Sequence, residues 1–224
     1  KVLTGEQMKL ADAATIKRQQ ITSVDLMERA ASKCAEWIIQ NTNYQTFNIF
    51  SGPGNNGGDG LAIARMLLEA GKKVKVILLN PFNRMSDDCK EQRIRLLNID
   101  KQCITEINAV WNPSVIHPSE VNIDAIFGIG LTRPAEAIFG AAIDFMNDSG
   151  KPTIAIDIPS GIYSDKVSLN SGNKTVKASI TLTFGTLKRG LLIGENAPWY
   201  GTVHVLDIGL DQEFLDSAES KTEV

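Results

Sequence analysis

The feature that most constrains the fold is a glycine-rich stretch between a strand pattern and a helix pattern. Residues 51–60 read SGPGNNGGDG, follow an apolar run that ends at Phe50, and precede an apolar helical pattern that starts at Leu61. Glycine lets the backbone approach a ligand closely, and a strand–loop–helix of this kind directs N–H groups toward one point, where a phosphate is favoured. The stretch lacks the Lys-Ser/Thr ending of a P-loop and does not fit GxGxxG. It therefore predicts a phosphate or nucleotide site, with a tight strand–helix turn as the alternative.

The hydrophobic pattern along the chain predicts alternating strands and helices. Residues 4–7 read TGEQ, a capping box that opens a helix to about residue 20, and apolar residues recur at helical spacing over 27–38. Further helices are predicted over 61–70, 86–98 and 135–147, and strands over 47–50, 74–79, 123–127, 152–157, 178–184 and 202–207. Strands rich in Ile, Val and Leu that alternate with amphipathic helices indicate an α/β fold with a parallel sheet covered on both faces. Residues 211–224 are polar and are interpreted as a frayed tail or a linker.

Composition excludes several classes of protein. The chain of 224 residues has a net charge of −3 and no long Lys/Arg run, so its sequence shows no basic patch of the kind that binds nucleic acid. Cys34, Cys89 and Cys103 are widely spaced and have no His cluster beside them, which argues against a disulfide framework or structural zinc and suits a reducing cytoplasm. No apolar run reaches the length of a membrane span, and the start of the sequence lacks the apolar core of a signal peptide. His117 and His204 are single and lie far from the other candidate residues, so we expect neither to be catalytic.

Four polar or glycine-rich clusters follow the predicted strands. They are residues 54–60, Asp124 with residues 128–134, residues 157–161, and residues 186–188. In a doubly wound sheet the ligand binds outside the carboxyl ends of the strands. Together the clusters offer carboxylates, an ammonium, a guanidinium, a hydroxyl, amide side chains and backbone donors. That set suits a phosphorylated ligand, a hard cation and general acid–base chemistry at one site.

Each of the charged or polar candidates also has a structural alternative. Asp124 can stabilise a strand end, Asp157 can bond the backbone of the Pro-Ser-Gly turn that follows it, and Ser160 can close a turn of its own. Arg133 and Lys188 can be ordinary solvated charges. Four such clusters at strand ends together favour the functional interpretation more strongly than any one cluster does alone.

The order of five motifs resembles that of the YjeF N-terminal domain family, the NAD(P)H-hydrate epimerases. The motifs are residues 54–60, 124–134, 157–161, 184–190 and 207–209, and the helical segment 26–30, LMERA, is also similar. The resemblance covers about residues 3–210, and five ordered motifs are more specific than the glycine-rich stretch alone. Ala31 stands where the family pattern has Gly, a departure that concerns helix packing and not the site.

The resemblance implies a Rossmann-like three-layer α/β/α sandwich with a mostly parallel central sheet over residues 1–210, followed by the tail 211–224. It implies epimerisation between the R and S forms at C6 of hydrated NADH or NADPH, a step of nicotinamide nucleotide repair. For that reaction Asp157 is the candidate catalytic acid–base, with Lys188 tuning its charge or helping to hold it. A bound potassium ion would be held by Asn56, Asp124 and Ser160, whose amide, carboxylate and hydroxyl oxygens suit a hard cation. The residues implied to line the substrate are Asn55, Asn56, Gly57, Gly58, Asp59, Gly128, Ile129, Gly130, Leu131, Thr132, Arg133, Pro134 and Asp157.

Two other classes of protein compete with an epimerase at this point. One is a non-catalytic nucleotide-binding scaffold or protein-interaction module, since domains similar to this family also serve as scaffolds; the presence of Asp124, Asp157, Ser160 and Lys188 favours an enzyme. The other is a nucleotide-dependent kinase or a redox Rossmann enzyme, which the missing Walker lysine and the missing GxGxxG disfavour.

The resemblance also bears on partners. It implies a small-molecule substrate, hydrated NADH or NADPH, and neither nucleic acid nor a membrane. An ADP- or ATP-dependent NAD(P)H-hydrate dehydratase, fused or separate, and a second copy of the chain in a homodimer are compatible partners. The choice between hydrated NADH and hydrated NADPH, and between ring opening and loss of water as the chemical route, stays open.

Overall fold

Seven parallel strands form the central sheet of the protein. A computed structural model describes residues 1–168 and 172–219. In chain order the described strands are β1 (Val2–Leu3), β2 (Thr46–Ser51), β3 (Lys73–Leu79), β4 (Ile104–Ile107), β5 (Val121–Ala125), β6 (Thr153–Ile156), β7 (Ile180–Phe184), β8 (Leu187–Lys188) and β9 (Thr202–Leu206). Of these, β1 and β8 pair with each other outside the central sheet. The α-helices are α1 (Gly5–Gln19), α2 (Ser23–Asn41), α3 (Asn55–Glu69), α4 (Asp87–Ile99), α5 (Ala137–Asp148), α6 (Ala197–Tyr200) and α7 (Gln212–Ser217).

The order in which successive strands are added to the sheet reverses at its centre. The order is β4-β3-β2-β5-β6-β7-β9, every neighbouring pair is parallel, and Ile49 of β2 lies in register with Val76 on one side and Ile123 on the other. The chain winds outward from β2 to β4, and then from β5 to β9 in the other direction. In such sheets ligands bind in the crevice at the carboxyl ends of the two central strands, here β2 and β5.

The sheet separates two hydrophobic cores. Ile49 packs in the larger core with residues of α1, α2, α3 and α4, whereas the next residue, Phe50, packs in the smaller core with Ile143 of α5. Successive strand residues point to opposite faces, so both faces of β2 are buried, and its apolar residues Phe47, Ile49 and Phe50 do not alternate with exposed ones. The predicted α/β/α sandwich with a parallel sheet is confirmed.

Two predicted helix starts are confirmed by their caps. The side chain of Thr4 accepts a hydrogen bond from the backbone N–H of Gln7, and the Gln7 side chain accepts one from the Thr4 N–H, which completes the capping box of α1. The Ser86 hydroxyl accepts a hydrogen bond from the Cys89 N–H at the start of α4. These caps satisfy N–H groups that have no partner within the helix.

Several elements differ from the sequence-based expectation. The short strands β1, β4 and β8 were not predicted, because runs of two to four residues carry too little pattern. Helix α3 begins at Asn55 and not at Leu61, so most of the glycine-rich stretch is helical.

The tail beyond Asp211 is also more ordered than its polar composition predicts. Asp211 caps α7 by accepting a hydrogen bond from the Phe214 N–H, and Phe214 and Leu215 pack against the larger core. Residues 220–224 lie outside the described part of the chain, and the division of the chain at residue 210 stays a prediction. Among the described helices, none combines the length and apolarity that crossing a membrane requires.

Candidate active site

A cleft of about 530 Å³ lies at the carboxyl ends of the central strands, where the topology places a ligand. One wall is formed by residues 53–56 after β2, and the facing wall by residues 126–131 after β5. Asp157 and Lys188 reach the cleft from the ends of β6 and β8, and one face of α1 and of α2 covers it. All four clusters predicted from the sequence therefore reach the same cavity, the fourth through Lys188.

The glycine-rich stretch divides into a part that lines the cleft and a part that packs the helix. Gly54 and Asn55 line the cleft at the start of α3, where backbone N–H groups lack helical partners. A Cβ atom at Gly57 would lie 1.7 Å from the backbone oxygen of Gly52, and one at Gly58 would lie 2.7 Å from the sulfur of Met27. Neither Gly57 nor Gly58 lines the cleft. Their glycine character therefore reflects close packing of α3 and not close approach of a ligand.

Asp157 and Lys188 form a buried ion pair at the base of the cleft. The Lys188 ammonium lies 2.8 Å from Asp157 Oδ1, and it donates hydrogen bonds to the Thr183 hydroxyl at 2.8 Å and the Phe184 carbonyl at 2.7 Å. Lys188 is only 1% exposed, so its interpretation as a solvated charge is wrong. The Ile129 N–H donates to Asp157 Oδ2. The carboxylate is thus held from both sides.

The backbone of Asp157 is strained. Its φ of +69° lies in the left-handed region, which non-glycine residues rarely adopt. Such strain persists only where the surroundings enforce it, and it is found preferentially at functional sites. Together with the ion pair, it marks Asp157 as more than a turn-forming residue.

Asp124 and Ser160 lie directly below the cleft wall. The Ser160 hydroxyl donates to Asp124 Oδ1 at 2.6 Å, and the Ser160 N–H donates to Oδ2 at 2.7 Å. The Phe127 N–H in turn donates to the Ser160 hydroxyl at 2.9 Å. Burial raises the pKa of Asp124 to about 6, against the hydrogen bonds from Ser160 and the Ile126 N–H, which lower it. A fully buried carboxylate of this kind is stabilised by a nearby cation.

Asn56 lines the cleft with a buried side-chain amide. Its amide nitrogen and oxygen are both buried, and neither finds a hydrogen bond within the described residues. A Cβ atom added to Gly128 would lie 3.4 Å from Asn56 Oδ1 and 2.7 Å from Asp157 Oδ2, so these two side chains flank Gly128. Leaving a buried amide unpaired costs about 1–3 kcal/mol, so a ligand that pairs with it would recover that cost.

Three further carboxyls, those of Asp12, Asp59 and Asp88, line the cleft. Burial raises the pKa of Asp59 well above its usual range, and the charges of Asp157 and Asp12 raise it further. Asp12, on α1, was missed by the sequence-based reasoning. The sequence did contain an indication of its position. Asp12 lies four residues after Met8 and four before Ile16, so it shares with them the face of α1 that the helical pattern assigns to the interior.

The segment after Leu131 does not join the site in this structure. Gly128, Ile129, Gly130 and Leu131 line the cleft, whereas Thr132, Arg133 and Pro134 are exposed and do not. The part of the motif that approaches Asp157 and Asn56 is therefore its first half.

Comparison with known proteins gives a consistent result. The family model described as YjeF-related protein N-terminus matches residues 23–190. A protein named NAD(P)H-hydrate epimerase from Limosilactobacillus fermentum is 35% identical over 209 residues, which are 92% of this chain and 95% of that protein. One of the same name from Weissella koreensis is 34% identical over 93% of this chain and 91% of that protein.

Two other similarities widen the comparison. A protein named bifunctional NAD(P)H-hydrate repair enzyme, from Salinibacter ruber, is 33% identical over 98% of this chain, but this chain covers only 43% of it. The crystal structure of yeast YNL200c superposes with a TM-score of 0.75 at 20% identity, covering 100% of this chain and 97% of that one. At that identity the superposition supports the shared fold alone.

Proposed function

This chain belongs to the family of YjeF-related protein N-termini, and we propose that it is an NAD(P)H-hydrate epimerase, an isomerase. It interconverts the R and S epimers at C6 of hydrated NADH and NADPH. The relatives that carry this name match nearly the whole chain and are themselves nearly covered by it. The single structural observation that supports the proposal most strongly is the buried, strained Asp157, which pairs with Lys188 in a cleft at the carboxyl ends of the central strands.

The reaction is a proton-transfer problem. Hydrated NAD(P)H carries a hydroxyl at C6 beside N1, so inversion needs one bond at C6 to break and form again without a redox change. Either the C6–O bond breaks and water returns on the other face, or the N1–C6 bond opens to an aldehyde and closes again. In both routes Asp157 accepts or donates the proton at the hydroxyl oxygen, while the Lys188 ammonium holds the carboxylate in place.

We assign the substrate to the two facing walls of the cleft. The start of α3, with Gly54, Asn55 and Asn56, offers free N–H groups to the phosphates. Residues 128–131 lie across from it, beside Asp157. Of the remaining proposed residues, Asp59 lines the cleft, Gly57 and Gly58 act by letting α3 pack closely, and residues 132–134 would have to move inward to reach the substrate.

Potassium is the cofactor we propose. The residues present fit a hard monovalent cation: the unpaired amide oxygen of Asn56, the buried carboxylate of Asp124 and the hydroxyl of Ser160 would hold it. When bound, the ion supplies a positive charge that offsets Asp124. On the protein's side, Asp124 and Ser160 fix the loop after β5 through the Phe127 N–H.

The partners we propose follow from the same assignment. The product epimer would pass to an ADP- or ATP-dependent dehydratase, on a separate chain or fused to this one; the Salinibacter ruber relative is bifunctional by name. Three free, buried cysteines suit the reducing cytoplasm, where we place the protein. A homodimer stays compatible with this assignment.

The test is exchange between the two epimers by the purified protein, followed by chromatography or NMR with the spontaneous rate subtracted. We expect exchange well above the spontaneous rate with hydrated NADH, hydrated NADPH or both. Tight binding of a nicotinamide dinucleotide without any exchange would instead support the competing interpretation, a nucleotide-binding scaffold.

A further inference from the structure

Helix α1 places a carboxyl in the cleft that the chemistry above does not use. Met8, Asp12 and Ile16 lie one helical turn apart and all line the cleft, and their neighbours Ala11 and Thr15 are fully buried. Asp12 receives neither a hydrogen bond nor an ion pair from the residues that the structure describes. A carboxyl in such an apolar setting is costly when ionised, so its retention there needs an explanation other than stability.

The charges around Asp12 are unbalanced. Four carboxyls, those of Asp12, Asp59, Asp88 and Asp157, share the cleft with the ammonium groups of Lys9 and Lys188, and Lys188 pairs directly with Asp157. Burial and then the charge of Asp157 raise the pKa of Asp12 to about 6, with Lys188 opposing. The titratable or charged groups that face the same cleft are Lys9 on α1, Asp59 on α3, Asp88 on α4, Asp157 after β6 and Lys188 on β8.

This arrangement places two carboxyls in different surroundings. Asp157 pairs directly with the Lys188 ammonium, whereas Asp12 has no direct partner among the described residues and feels the charges of Asp157 and Lys188 only from a distance. Two carboxyls whose surroundings differ in this way are the usual means by which one site provides both a base and an acid. Epimerisation by ring opening can use such a pair, because one proton leaves the hydroxyl oxygen while another arrives at N1.

We propose that Asp12 is a second catalytic residue, the acid that donates the proton to N1 while Asp157 accepts the proton of the C6 hydroxyl; this rests on the proposed function. Asp157 takes the hydroxyl proton, the C6–O bond becomes a carbonyl, and the N1–C6 bond breaks with its electron pair on N1. N1 then takes the proton of Asp12. After rotation about C5–C6, N1 attacks the opposite face of the carbonyl carbon, Asp157 returns its proton to the oxygen, and Asp12 recovers its proton from N1. Both residues end in their starting states.

The test compares three variants with the wild type over a range of pH. Asp12→Asn keeps the size of the side chain but cannot donate the proton, and Asp12→Glu keeps the acid on a longer side chain. Glu6→Gln, an exposed acidic residue on the same helix, is the matched control. Epimer exchange is measured from pH 5 to pH 8, the spontaneous rate is subtracted, and unfolding by urea is measured at pH 7.5.

The expected result has three parts. At pH 5.5, where Asp12 holds its proton, Asp12→Asn exchanges about 100-fold more slowly than wild type, which is typical of the loss of a general acid. That ratio shrinks as pH rises, because the wild type loses the same proton. Asp12→Asn is also more stable to urea than wild type at pH 7.5. Asp12→Glu exchanges the epimers more slowly than wild type, but its activity still declines with rising pH. Glu6→Gln matches wild type in both exchange and stability.

Several outcomes would overturn the proposal. They are an Asp12→Asn protein that exchanges as fast as wild type, one that is slower by the same factor at every pH, and one that is less stable than wild type. The last two indicate a structural role for Asp12. If the wild type itself shows no exchange, the proposed function fails and the role of Asp12 falls with it, whereas exchange by wild type with unchanged Asp12→Asn removes only this inference.

Discussion

Two groups of acidic side chains in this protein are managed in opposite ways. Where α2 packs against α3 and α4, Glu28 receives bonds from Gln92, Arg65 and Arg95, and although burial raises its pKa, these partners outweigh burial and lower it. In the cleft, Asp12 and Asp59 have no such partners within the described residues, and burial raises the pKa of both. The partners of Glu28 stabilise the fold. The unpartnered carboxyls of the cleft lower the stability when they are ionised, and a function at the cleft explains why they are there.

The largest expected difference between the cleft, which also holds Asp157, and the Glu28 network is in catalysis. Asp157→Asn preserves the shape of the side chain and removes the base, so we expect epimer exchange to fall by about a hundred- to ten-thousand-fold while dinucleotide binding persists. Glu28→Gln should leave the exchange rate unchanged and lower the stability. Lys188→Ala should have a smaller effect on exchange than Asp157→Asn, because it acts through the carboxylate and not on the proton itself.

The contrast fails if Asp157→Asn exchanges the epimers as fast as wild type, in which case the cleft only binds. It also fails if Glu28→Gln slows exchange comparably, because the paired network on α2 would then be part of the catalytic site.

A second comparison concerns the glycines of the α3 segment, and its expected effect is on stability. Gly57→Ala places a methyl group 1.7 Å from the Gly52 backbone oxygen, which cannot move away cheaply, so we expect a loss of about 3 kcal/mol or more. Gly54→Ala meets nothing within 4 Å and should change stability by less than about 1 kcal/mol. Urea unfolding of both variants measures this difference. Equal stability of the two variants would contradict the packing role of Gly57.

The same packing changes the expectation for Gly58. Its added side chain would meet Met27 and Cys89 and not the ligand, so Gly58→Val should destabilise the protein and not merely prevent binding. Stability that matches wild type together with lost dinucleotide affinity would restore a direct contact with the substrate.

The raised pKa values predict how stability depends on pH. The folded pKa of Asp12 and of Asp124 is about 6 and the unfolded value is 3.8. Each group therefore stabilises the fold fully below about pH 4, and this contribution is lost as pH rises through about 6. Between pH 5 and pH 7 we expect the free energy of unfolding to fall as pH rises.

Asp12→Asn isolates one of these two contributions. It should raise the free energy of unfolding at pH 7 by about 2 kcal/mol, slightly less than the two pKa units would give, because Asp12 is not fully buried. It should also flatten the pH dependence without abolishing it, since Asp124 remains. Urea unfolding at pH 5, 6 and 7 measures both effects, and a wild-type protein whose stability rises from pH 5 to pH 7 would contradict the assignment.

The smallest expected effect is that of potassium on stability. Potassium bound by Asn56, Asp124 and Ser160 should raise the free energy of unfolding by about 1 kcal/mol at concentrations several times its dissociation constant. Choline chloride at the same ionic strength is the control, and Asp124→Asn should remove most of the difference. An equal response to both salts in wild type would argue against a specific cation site.

Part of the site was accessible to sequence reasoning because it depends on local order. The strands that end at Ser51, Ala125 and Ile156 were recognised from their apolar runs, and parallel strands bring their carboxyl ends to one edge. The position of Asp157 and the meeting of the clusters followed from that rule alone. Asp12 was not accessible in this way, because a carboxylate on a helix is ordinary until its burial is known.

The sequence by itself determined the fold class, the caps of α1 and α4 and the family, since these depend on hydrophobic period, capping residues and the order of motifs. Only the tertiary structure decided that Gly57 and Gly58 serve helix packing, that Lys188 is buried against Asp157, and that α1 lies over the cleft. The physical reason is that burial and charge balance are sums over residues distant in the chain. A local pattern records which side chains are present, and packing decides which of them lose water and which find partners.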